Sequence, residues 1–99
     1  MEQGLFDIIE SFAILKRGEF YIIGNLKEGK VQEGWFINIA FNPSLALSLR
    51  IASIEDVIIS NDEMNYKLLI IRTDKETMDL LLALKIGAEY ANISIEGKD

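Results

Sequence analysis

A mainly β fold, a small closed or nearly closed antiparallel β-barrel with one short helix near residues 74–86, is what this sequence predicts, on three observations. Gly24, Gly29 and Gly34 fall five residues apart, with Leu26 and Val31 two residues after the first two. Glycine takes a positive φ or a bulge without steric cost, and each aliphatic residue then points inward, so the spacing suits a sheet that turns back repeatedly. Two runs have the period of a strand: Trp35, Ile37, Ile39 and Phe41 share one face, and Leu45, Leu47, Leu49 and Ile51 another. Behind Thr73-Asp-Lys-Glu76 lies the one stretch read as helix.

The elements follow in order. Leu5, Ile8, Ile9 and Phe12 sit at helical spacing, although Ile8-Ile9 equally begins a strand. Phe12 to Leu15 reads as a short strand closed by a turn at Lys16-Arg17-Gly18. Phe20 to Ile23 is aromatic and β-branched, apolar on both faces, as in a strand covered on both sides. Lys27-Glu28-Gly29 and Gln32-Glu33-Gly34 read as polar glycine turns. Asn42-Pro43-Ser44 breaks the next strand, because proline lacks a donor. Strands are expected over 54–59 and 68–71, separated by the polar loop Ser60 to Asn65. Thr73 and Glu76 have capping-box spacing, Met78, Leu81, Leu82 and Lys85 recur at helical intervals, and Gly87 is placed to stop the helix. Ala91, Ile93 and Ile95 form the last strand, before a polar tail. Many short, glycine-punctuated strands in one domain spanning residues 1–99 favour a barrel.

Composition narrows the function. Apolar residues at 49% exclude a disordered chain, and a net charge of −6 disfavours a long phosphate-tracking surface such as DNA binding needs. Without cysteine or histidine the chain lacks a thiol nucleophile, the usual general base and the usual soft metal ligands. Its serines show no pairing with a base, so no enzyme is expected. Glu55-Asp56 and Asp62-Glu63 are acidic pairs, but Asn61 to Asn65 lacks the alternating ligands of a calcium loop, so neither metal nor cofactor is expected. No secretory start and no membrane-length apolar run is present, and a soluble cytoplasmic protein is the expectation.

The positions Gly18, Gly24, Leu26, Gly29, Val31 and Gly34, followed by a strand from Trp35 to Ile39, resemble the first half of the second-domain β-barrel of translation GTPases, the elongation factor Tu-like barrel. Gly87 to Gly97 is similar to the glycine and closing strand of the same barrel. Lys16-Arg17-Gly18 stands where that family often has glycine-arginine-glycine, and the leucine-rich helix departs from it. No phosphate loop accompanies the resemblance, so it implies a barrel that docks protein or RNA, without GTP hydrolysis.

Two surfaces are candidates. Tyr21, Ile23 and Phe36 would form an apolar patch if the barrel buries only one strand face, suited to an unidentified protein partner or to self-association. Lys16, Arg17, Tyr21 and Trp35 would form a stacking surface for RNA or a nucleotide. The first reading ranks higher on charge: a non-enzymatic protein-interaction module, such as a small regulator or a toxin-neutralising partner, with RNA or nucleotide binding as the alternative.

Overall fold

A long hairpin organises the chain. In the computed structural model, which describes residues 2–42, 45–58, 65–87 and 89–96, β1 (Glu2–Ile14) pairs antiparallel with β2 (Glu19–Gly29). A 3-10 turn, Leu15–Arg17, joins them and ends on Gly18 at φ 61°. The expected turn at Lys16 to Gly18 is therefore present, but the short strand before it is the end of a strand of 13 residues.

Two irregularities shape this hairpin. Ile8 lies opposite Gly24 and Glu10 opposite Ile23, which leaves Ile9 as an extra residue, a β-bulge. Leu5 lies opposite Glu28 and Phe6 opposite Leu26, which makes Lys27 the extra residue on β2. The glycines match these features. A Cβ on Gly24 would stand 2.0 Å from the carbonyl oxygen of Asp7. One on Gly29, at φ 74°, would stand 2.0 Å from that of Gln3. Gly24 and Gly29 thus admit close backbone approach across a ladder, and β2 runs straight through Lys27-Glu28-Gly29 where a turn was expected. Gln32-Glu33-Gly34 does turn, held by the Trp35 amide donating to the Gln32 carbonyl.

The remaining strands are β3 (Phe36–Asn42), β4 (Leu45–Arg50), β5 (Ser53–Ile58), β6 (Asn65–Arg72) and β7 (Glu89–Ser94). All seven make one antiparallel sheet in the order β4-β3-β7-β1-β2-β6-β5. The two end strands, β4 and β5, are consecutive in the chain. Only Ile51 and Ala52 lie between them; Ile51 donates to the Trp35 carbonyl beside β3, and Ala52 to Ile70 in β6. The sheet must curl to bring these ends together, yet among the described residues no ladder hydrogen bonds close β4 onto β5. The breaks expected at Pro43-Ser44 and over 60–64, the second acidic pair and the polar tail from Gly97 fall outside the described residues.

Helix α1 (Lys75–Leu84) follows β6. Its N-cap is Asp74, not Thr73: Asp74 Oδ1 accepts from the Thr77 amide at 2.8 Å, whereas the Thr73 amide donates to the Gly18 carbonyl and stays with the sheet. Its end is Lys85, in the left-handed region at φ 51°, two residues before Gly87. One face buries Met78 and Leu81, while Leu80 and Leu82 stay exposed. These two meet Phe6, Ile8, Phe20, Ile22, Ile37, Ile39, Leu69, Ile71 and Ile93 in one core. Full burial of each such side chain contributes about 1.5–3 kcal/mol. No helix among the described residues is long and apolar enough to cross a membrane.

Candidate interaction surface

The bulge at Ile9 decides which side chains of β1 face outward. Before it, Phe6 and Ile8 enter the core; after it, Ala13 packs against the core and Phe12 lies opposite Tyr21 on the outer face. Cross-strand register then builds two rows. Phe12, Tyr21 and Ile70 stand side by side across β1, β2 and β6, and Glu10, Ile23, Leu68 and Glu55 stand in the next row, ending on β5. The Phe12 and Tyr21 rings stack with centroids 5.0 Å apart and planes 19° from parallel. Phe12 is 47% exposed and shields Tyr21, which is 6% exposed. Ile14 and Leu15 continue the exposed apolar strip toward the hairpin tip.

Polar groups pin this face. The Tyr21 hydroxyl donates to Glu19 Oε1 at 2.5 Å, and Arg72 Nε donates to Glu19 Oε2 at 3.2 Å. The Tyr21 hydroxyl holds the Glu19 carboxyl below the usual carboxylate range, and the charges of Arg72 and Arg17 add to this. Donating to that carboxylate raises the Tyr21 phenol above its ordinary value, and desolvation adds. Beyond Phe12 the face runs into a groove of about 410 Å3 between Ile9 and the end of α1, lined by Leu82, Lys85 and Ile86. The Ser11 hydroxyl donates to the Ile86 carbonyl across it.

The predicted site residues are only partly brought together. Tyr21 and half-buried Ile23 share the outer face. Phe36 does not join them: β7 and β1 lie between β3 and β2, and the Phe36 ring is 3% exposed with the Arg50 guanidinium 4.5 Å from its centroid. The expected exposed patch of Tyr21, Ile23 and Phe36 is therefore corrected: Phe12 supplies the exposed aromatic surface. The RNA quartet is split as well. Lys16 and Arg17 are exposed at the hairpin tip, and Tyr21 lies nearby on the outer face, but Trp35 packs against the core. Sequence reading missed Phe12 because a bulge reverses the two faces of a strand. The one local signal was the doubled Ile8-Ile9, which a regular alternation of faces does not accommodate.

Among the described residues no group of three or more Asp, Glu, His or Cys side chains is placed to hold a metal ion. No protein-family model, curated protein or solved structure matches the chain.

Proposed function

We propose that this chain is a non-enzymatic protein-interaction module that docks a basic protein partner on the outer face of β1, β2 and β6. The observation that carries the proposal is the half-exposed Phe12 ring stacked on Tyr21, with the exposed carboxylates Glu10 and Glu55 in the adjoining row. An aromatic anchor already held by a neighbour loses little conformational freedom on binding, and surrounding carboxylates steer a cationic surface toward it. A small regulator or a toxin-neutralising partner would use such a surface.

We read the sheet as an elongation factor Tu-like barrel left open along one seam; the two-residue link between its end strands supports this reading.

The test is a tagged pull-down from the native cell at low and moderate salt, with bound protein and RNA both identified. A stoichiometric basic protein is expected, weakened by salt and by at least about tenfold in Phe12→Ser. RNA without such a protein, or a partner indifferent to Phe12→Ser, overturns the proposal.

A further inference from the structure

Half of β1 has an edge that the sheet leaves open. Its pairing with β7 runs from Glu2 to Ile8 and stops there, whereas its pairing with β2 continues to Ile14. Among the described residues, no main-chain hydrogen bond reaches residues 9–14 from the side away from β2. The alternation of a strand turns about half of their amides and carbonyls to that side, where they form a template for another strand. The contact that crosses the edge is made by a side chain, the Ser11 hydroxyl on the Ile86 carbonyl.

Apolar surface collects along the same edge. Phe12, Ile14 and Leu15 are exposed, Leu15 to 65%. The groove between β1 and the end of α1 lies beside it, with Ile9, Leu82 and Ile86 among its walls. The end strand β5 is guarded by contrast: its Ile54 amide donates to the Glu33 carboxylate, and Glu55-Asp56 in its middle would meet their own charges across a two-fold axis.

We propose that two copies of this chain pair antiparallel along this open half of β1, about a two-fold axis at Ala13. In that register the segment is complementary to itself: Ala13 meets Ala13, Phe12 meets Ile14, Ser11 meets Leu15 and Glu10 meets Lys16. Opposite residues of an antiparallel pair lie on the same face. The exposed Leu15 of one copy therefore comes beside Ser11 of the other, into the groove against Leu82 and Ile86. Phe12 and Ile14 cover each other on the outer face, twice by symmetry. Glu10 and Lys16 are exposed, and among the described residues neither is ion-paired within its own chain. Leu15 and Lys16 stand just past the end of β1, where each chain turns toward its own β2 and away from the other copy. The two outer faces then run on into one another, which leaves the aromatic stack on the surface of the dimer and takes the inference beyond the docking of a basic protein.

Sedimentation equilibrium of the full chain alone, from micromolar to millimolar concentration at low salt, tests the pairing. A reversible dimer is expected, weak because one strand edge makes a small interface. Glu10→Lys and Lys16→Glu each set like charges against one another in both halves of the contact, and each should weaken association at least about tenfold. The double substitution Glu10→Lys/Lys16→Glu restores opposite charges in the same register and should recover the dimer. A monomer throughout, single substitutions without effect, or a double substitution that fails to recover association overturns the proposal. No partner protein enters this measurement, so its failure and a failure of the docking reading in the pull-down are told apart.

Discussion

At the scale of single residues, Glu19 and Gly24 show how much rests on one group. Glu19 is held below its ordinary pKa chiefly by the Tyr21 hydroxyl. A carboxyl depressed in the folded state contributes stability above its unfolded pKa, and that contribution is lost as pH falls through the folded value. Stability is therefore expected to decline on acidification below the usual carboxylate range. In Tyr21→Phe the Glu19 titration, followed by carboxyl NMR, should move up toward its ordinary value. Asp74 titrates in the same sense, lowered by the Thr77 amide it caps. Gly24 is constrained by space: its added Cβ would stand 2.0 Å from the Asp7 carbonyl oxygen, whereas at Gly34 nothing lies within 4 Å. Gly24→Ala should destabilise by at least about 2 kcal/mol, and Gly34→Ala by about 1 kcal/mol from its positive φ alone, measured by urea unfolding.

At the scale of elements, the helix offers the sharpest contrast. Leu81 is wholly buried and its neighbour Leu82 is exposed. Leu81→Ala should cost about 3 kcal/mol and Leu82→Ala no more than about 0.5 kcal/mol in thermal or urea unfolding. What the sequence made legible here was local periodicity. Ile37, Ile39, Leu49 and Ile51 enter the core as their alternation requires, and so do Met78 and Leu81 from the helix. Features set by contacts distant in sequence were not legible. Thr73 and Asp74 both suit an N-cap, and the choice falls to Asp74 because the Thr73 amide is already bonded to Gly18, 55 positions earlier in the chain. The helix stops at Lys85 rather than at Gly87 while the chain beyond it is drawn onto β1 by Ser11 and by burial of Ile86. Of the glycine series, Gly34 does sit at a turn, but Gly24 and Gly29 mark points of close backbone approach between β1 and β2.

At the scale of the whole molecule, strand order sorts the candidate residues. Tyr21 and Ile23 meet Phe12 across an immediate neighbour, and two intervening strands remove Phe36 from them. Periodicity carries no information about that order, which is why one predicted patch became two unrelated places. Strand order also places charge on the outer face: Glu10 and Glu55 end its second row, while Glu19, beside Tyr21, is ion-paired with Arg72. Binding of a basic partner at this face should weaken as salt rises, since it depends on exposed charge. A double substitution Glu10→Gln/Glu55→Gln should reduce capture of a basic partner, as read by the same pull-down.

The Ile51-Ala52 link carries one more consequence. Fully buried Ile51 leads the chain from β4, laddered to β3, into β5, laddered to β6, so the two end strands are anchored on different neighbours. Freeing β4 or β5 breaks one ladder, whereas displacing β1 from its place between β7 and β2 breaks two. Native-state hydrogen exchange should find the β4 amides that bond to β3, those of Leu47 and Leu49, opening far more often than those of β1, so that the sheet frays from its ends while the aromatic stack stays still.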